Sequence, residues 1–253
     1  MSSLVMAAIA LVCSFGGASL GLLLGRRLPD SHLTGSSADV VKMSTGLVGT
    51  MSALVLGLLV ASANGEFNTE SGGIQKLSTN FLLLDGALRH FGPEAAPARE
   101  GLREIVEVSI RQASAGSVLP PGSVEKSQFI ARAEGVFDAI RDLKSQTDGQ
   151  KLLHSQCVQI CAEIARTRWA LIQGASNPIP TPFLVVLVFW LVTLYLSFGL
   201  LAPRNGTVIA AMLVSSISVA AAIFLIFDLN EPFDGLIRVS VAPLRDALGE
   251  MRR

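Results

Sequence analysis

Four stretches without a single Asp, Glu, Lys, Arg or His constrain this chain more than anything else in it: residues 4–25, 43–64, 183–201 and 207–227. The first would run roughly 33 Å as a helix, against a bilayer hydrocarbon core of about 30 Å. The others are of comparable length, so all four qualify as membrane spans. The first could also be the apolar part of a secretory signal. A signal carries basic residues before its apolar run, however, whereas Met1-Ser2-Ser3 precedes this one and Arg26-Arg27 follow it. We read it as a retained span.

The spans pair as two plus two. The third and fourth are separated only by Ala202-Pro203-Arg204-Asn205-Gly206, a tight hairpin connection marked by its Pro and Gly. An even number of spans places the N-terminus, the central segment and the C-terminus on one side of the bilayer. Basic residues near span ends vote both ways. Arg26, Arg27 and Lys42 lie in the first loop, while Lys76, Arg166, Arg168, Arg238, Arg245, Arg252 and Arg253 lie on the other side, so charge leaves the orientation open.

From Glu66 onward charges return and the apolar positions become periodic. Phe67, Ile74, Phe81 and Leu88 recur every seven residues, interleaved with Leu77, Leu84 and Phe91, which predicts a helix with one apolar stripe. Gly72-Gly73 weakens its first turns and Gly92-Pro93 ends it. A second helix begins near Pro97 with Leu102, Ile105, Val106 and Ile110 on one side. A break follows at residues 115–122. A third helix, with Ser123 as N-cap, carries Ile130, Ala133, Phe137 and Ile140. A fourth, over residues 150–173, places Leu153, Cys157, Ile160, Cys161, Ile164 and Leu171 on one face before Pro178, Pro180 and Pro182. The expected architecture is an all-α membrane protein: spans one and two in residues 1–65, an inserted extramembrane helical domain in 66–180, spans three and four in 181–228, and a membrane-surface tail in 229–253.

Composition narrows the function classes. Half of the 253 residues are hydrophobic and 16% are charged; the 20 Lys and Arg cancel the 20 Asp and Glu, so no positive field exists to gather phosphate backbones. Nucleic acid is excluded as an expected partner. No GxxxxGK[ST], GxGxxG after a strand, HExxH, CxxC or GxSxG occurs, and neither an enzyme nor a cofactor has an anchor. His154 and Cys157 make half a metal site at most, and Cys157 with Cys161, one turn apart, reads more simply as buried apolar surface. Asn205-Gly206-Thr207 matches a glycosylation acceptor but reads as the hairpin turn. Asp228, Asn230, Glu231 and Asp234 offer oxygens to a hard cation without EF-hand spacing, so solvated carboxylates at a span exit are the plainer reading. Because no apolar run carries an Asp, Glu, Lys, Arg or His, an ion-coupled carrier is disfavoured, while a passive pore gated by dewetting needs no such residue.

The second span carries the clearest pattern. Thr45, Gly49, Ala53, Gly57, Ala61 and Gly65 fall every fourth residue and form a ridge of small side chains. The first span has a matching series in Cys13, Gly17, Gly21 and Gly25, so the two spans are expected to pack together. Leu47, Met51, Leu54, Leu58 and Ser62 then project elsewhere, to lipid or to a central axis, which makes them candidate pore-lining residues.

Residues 224–247 contain Phe224-Leu225-Ile226-Phe227-Asp228-Leu229-Asn230-Glu231-Pro232-Phe233-Asp234-Gly235-Leu236-Ile237-Arg238-Val239-Ser240 and a Pro243-Leu244-Arg245-Asp246-Ala247-Leu248 tail. This segment resembles the end of the bacterial bestrophin-like family, chiefly through Pro232-Phe233, Gly235 and Val239-Ser240. Leu84-Asp85-Gly86-Ala87-Leu88-Arg89-His90-Phe91-Gly92-Pro93-Glu94-Ala95 with Arg99 is similar to that family's region after the second span, and the two-plus-two layout matches over nearly the whole chain. The resemblance implies a homo-oligomeric, multi-pass protein of the bacterial inner membrane with a cytoplasmic central domain and termini, and by analogy a channel for inorganic ions. A non-conducting scaffold or signalling partner acting through the helical domain is the alternative. In bestrophins the second span lines the pore with a neck that includes aromatics, whereas residues 43–64 hold none. The resemblance carries no calcium site onto residues 228–234.

Overall fold

Uncharged runs of some twenty residues favour helices in a bilayer, because a helix satisfies every backbone donor and acceptor within the segment. The structure, a computed structural model, describes residues 3–29, 34–116, 123–174 and 181–253. Among them the elements are helices: α1 (Ser3–Leu24), α2 (Gly35–Phe91), a short 3-10 turn (Pro93–Ala95), α3 (Ala96–Ser114), α4 (Ser123–Arg141), α5 (Asp148–Gly174), α6 (Thr181–Leu201), α7 (Gly206–Leu229) and α8 (Ala242–Met251). Four of these, α1, α2, α6 and α7, are long and apolar enough to cross a membrane. His32, most of the break at 115–122, and Pro178 and Pro180 lie outside the described residues.

The chain divides into two compact units, Met1–Gly65 with Pro178–Asn230 and Glu66–Asn177 with Glu231–Arg253. In the first, α1 packs against α6 and α7. Its buried positions are Ser3, Ala10, Ser14, Gly17, Ala18 and Gly21, a stripe of small residues that lets backbones approach. Ala10 joins Leu187, Leu191 and Ile223 in a core on which Val55, Leu56 and Leu59 of α2 lie. Asn205 caps α7, its side chain accepting a hydrogen bond of 2.9 Å from the backbone N–H of Val208. That contact gives the Asn-Gly-Thr tripeptide a structural role in the hairpin.

The second unit is built on the seven-residue stripe. Ile74, Leu77, Phe81, Leu84, Leu88 and Phe91 are buried together with Leu102, Ile105 and Val106 of α3, Ile140 of α4, and Cys157, Cys161, Ile164 and Leu171 of α5. The segment read from sequence as a tail of its own contributes Phe233, Val239, Leu244 and Met251 to this same core. Ser78 donates a hydrogen bond of 2.6 Å to the carbonyl of Pro243 at the start of α8.

One difference from the sequence reading concerns α2. Its weakened turns at Gly72-Gly73 do not interrupt it; a single helix runs from Gly35 to Phe91, 57 residues. No proline lies within it, and an interior glycine costs only about 1 kcal/mol, which packing along both parts of the helix offsets. Gly92 stops it. There φ is +132° and ψ is −176°, a conformation open to glycine alone, and Pro93 follows.

Candidate functional site

The glycine series of the first span faces a different helix from the one expected. A Cβ built on Gly21 would meet the carbonyl oxygen of Leu196 and, at 2.8 Å, the amide nitrogen of Leu200. One built on Gly17 would lie 3.0 Å from the carbonyl of Val192, and one on Gly25 3.1 Å from that of Leu200. On the other side Gly199 is pressed against the backbone of Ala18 and Leu22. The series therefore packs on α6 and not on the second span. Motif matching between two spans could not reveal this, because Gly199 is a lone glycine among large side chains.

The ridge of the second span has a different fate along its length. Each step of four residues advances a helix by roughly 40° beyond a full turn, so a strict every-fourth-residue row winds around the cylinder. At Gly49 an added Cβ would touch Leu194 of α6 at 3.6 Å, whereas at Gly57 and Gly65 it would meet nothing within 4 Å. Ala53 and Ala61 are exposed as well. The face that α2 turns inward runs instead through Ala38, Ser52, Val55, Leu56, Leu59 and Ala63.

Turned away from that face lies the row Leu47, Met51, Leu54, Leu58 and Ser62, about 120° around the helix at its centre. Leu47, Leu54 and Leu58 are each more than 60% exposed and Ser62 is exposed too. Only 11% of the apolar window of α2 is buried, against 28% in each of the other three spans. The second span is thus the least covered by its own chain, and its outward surface is aliphatic with small residues beside it.

In the second unit the site chemistry is structural. Asp85 is 1% exposed, and Arg99 grips it in a bidentate pair, Nε to Oδ1 at 2.9 Å and Nη2 to Oδ2 at 3.0 Å, with Arg89 at 3.7 Å. The hydrogen bond to Asp85 holds the Arg99 guanidinium above its ordinary pKa. Desolvation by burial pushes Cys157 up to about 11 and Cys161 to about 12, so both thiols are protonated and poor nucleophiles at neutral pH. The Nε2 of His154 bonds the carbonyls of Ile140 at 3.0 Å and Arg141 at 3.2 Å, closing the end of α4. Among the described residues no group of three or more His, Cys, Asp or Glu is placed to hold a metal ion.

The environments of two ionisable residues, Glu70 and Arg168, escaped the sequence reading. Glu70 is 6% exposed with one carboxylate oxygen buried and unpartnered, and burial, then the neighbouring charge of Glu66, raises its pKa to about 7. Arg168 stacks its guanidinium on the ring of Phe129, 4.0 Å from the centroid, and burial lowers its pKa to about 10. Each signal was present in the residue spacing. Glu70 falls between Phe67 and Ile74 at three and four residues, and Arg168 between Ile164 and Leu171 at four and three, so both are charges set into an apolar stripe.

A family model described as the Bestrophin-like domain matches residues 12–244. No curated protein sequence matches the chain. Crystal structures of two point variants of a bacterial bestrophin homologue from Klebsiella pneumoniae share the fold. One has a TM-score of 0.66 at 14% identity, covering 97% of this chain and 96% of that one. The other has a TM-score of 0.68 at 14% identity, covering 98% and 96%.

Proposed function

We propose, from the premise that the chain belongs to the bestrophin-like family, that it assembles with copies of itself in a bacterial inner membrane as a passive ion channel whose axis is lined by α2. The observation that carries this reading is the uncovered aliphatic face of α2. A membrane helix left bare by its own chain on one side is available to neighbouring subunits and to a shared axis. On that arrangement Gly57 and Ala61 lie toward the adjacent copy. Leu47, Met51, Leu54 and Leu58 form a narrow apolar passage closed by dewetting, with Ser62 at its end. The helical domain and both termini are on the cytoplasmic side in this reading.

The absence of Asp, Glu, Lys, Arg and His from residues 4–25, 43–64, 183–201 and 207–227 suits a conduit that discriminates weakly by charge at its narrowest point and admits ions when the apolar rings part or wet. The test is purified protein in liposomes. Ion flux above that of empty vesicles, from a ring-shaped assembly, is the expected result. Vesicles that stay tight at every voltage and calcium level would leave the scaffold reading standing and remove this one.

A further inference from the structure

The second unit encloses a cavity of about 270 Å³ that no ion-conducting role uses. Its walls come from five elements and are largely aliphatic and aromatic: Leu77 and Phe81 of α2, Ile105 of α3, Ile130 and Phe137 of α4, and Ile164 of α5 among them. Arg168 and Trp169 also line it, and Trp169 is 58% exposed, which places the wall they form at the surface. The polar groups in the lining are few. Ser109 spends its hydroxyl on the carbonyl of Ile105, and Glu134 is exposed.

Arg168 is the unusual member. Guanidinium groups withdrawn from water are ordinarily matched by carboxylates, as Arg99 is by Asp85. Among the described residues Arg168 has the face of Phe129 as its contact and no carboxylate within ion-pair distance, and desolvation is the single cause of its lowered pKa. The cation–π contact uses the face of the guanidinium, and the half-buried side chain leaves its in-plane N–H donors to water or to an incoming acceptor.

We propose that this cavity binds a single-chain amphipathic carboxylate, a fatty acid, with its hydrocarbon tail among the aliphatic walls and its carboxylate on Arg168. The volume lies just below the usual range of ligand pockets, about 300–1,000 Å³, and suits one chain, not two. One arginine with no second cation beside it matches a monoanion better than a phosphate. Trp169 at the same wall is the amphipathic aromatic expected where an apolar interior meets water. The site is independent of whether the chain conducts ions.

The chain has two tryptophans, Trp169 here and Trp190 in the third span, which makes a direct test available. Full-length Trp190→Phe protein in lipid nanodiscs is titrated with a terminally brominated dodecanoate, and quenching of Trp169 is followed. Saturable quenching is expected, weakened about tenfold or more by Arg168→Gln, and about tenfold or more weaker for the brominated alcohol of equal length. Ala133→Phe, which fills the cavity and keeps Arg168, should abolish saturation while the protein elutes and melts like its parent. The Trp169→Phe protein, reporting through Trp190, measures plain partition into the bilayer and should not respond to Arg168→Gln. Quenching of Trp169 that never saturates, equal affinity for acid and alcohol, or saturation that survives Ala133→Phe would each overturn the proposal.

Discussion

At the scale of single residues the molecule tolerates few buried charges and treats each differently. Asp85 is withdrawn from water but fully paired, whereas Glu70 is withdrawn and left with one unmatched oxygen. The consequence is a pH dependence of known sign. The Glu70 carboxyl titrates near 7 in the folded chain and near 4.5 when exposed, so between those values the folded state keeps a proton that the unfolded state has released. Stability on this account is undiminished below about pH 4.5, falls as pH rises toward 7, and then levels off. Replacing Glu70 with Gln removes the penalty. Thermal melts in detergent should show Glu70→Gln more stable than the parent at pH 8, by on the order of 1–3 kcal/mol, and indistinguishable at pH 4.5. Equal melting of the two proteins at pH 8 would mean that water reaches the carboxylate.

At the scale of elements the small residues of the spans divide into two kinds. Those of α1 meet backbone of α6, and backbone cannot step aside, so Gly21→Leu should disrupt the fold of the chain itself. The cost expected is about 3 kcal/mol or more, at the upper end of overpacking penalties. Gly57, with open space around it, should accept Leu without loss of the monomer fold and instead disturb contacts between copies. Size-exclusion profiles and melting curves in detergent separate the outcomes: early aggregation for the first variant, a smaller assembly of normal helix content for the second. Elution of Gly57→Leu at the parental position with parental stability would show that the ridge touches no neighbour. Within α2 the apolar stripe on Ile74, Phe81 and Leu88 was legible as a heptad, and it is the buried one. The continuity of that helix through Gly65 and Gly72-Gly73 was not, because local propensity marks these as weak points and only packing beyond them decides.

At the scale of the whole molecule, conduction and assembly are one question. If Leu54 and Leu58 form a dewetted constriction, the double change to Ser should wet it and raise ion flux in liposomes severalfold without altering subunit number. Unchanged flux would move the constriction away from α2. The four spans, the helical class and the family were readable from residues in order along the chain, since length, absence of charge and short motifs such as Pro232-Phe233 are local properties. Which helix each face meets was not readable in the same way. Small residues at spacing four announce that something can come close without saying what, and Gly21 found Gly199 across the bundle because α1 lies on α6 in three dimensions. The same holds for Arg168. Its place in the apolar stripe of α5 was written in the spacing, but its partners on neighbouring helices are long-range contacts, and only folding brings Phe129 and the cavity wall to it. Periodicity, a one-dimensional signal, determined which surfaces are apolar; the mutual fit of those surfaces is a property of their three-dimensional packing, and the tertiary structure alone decided it.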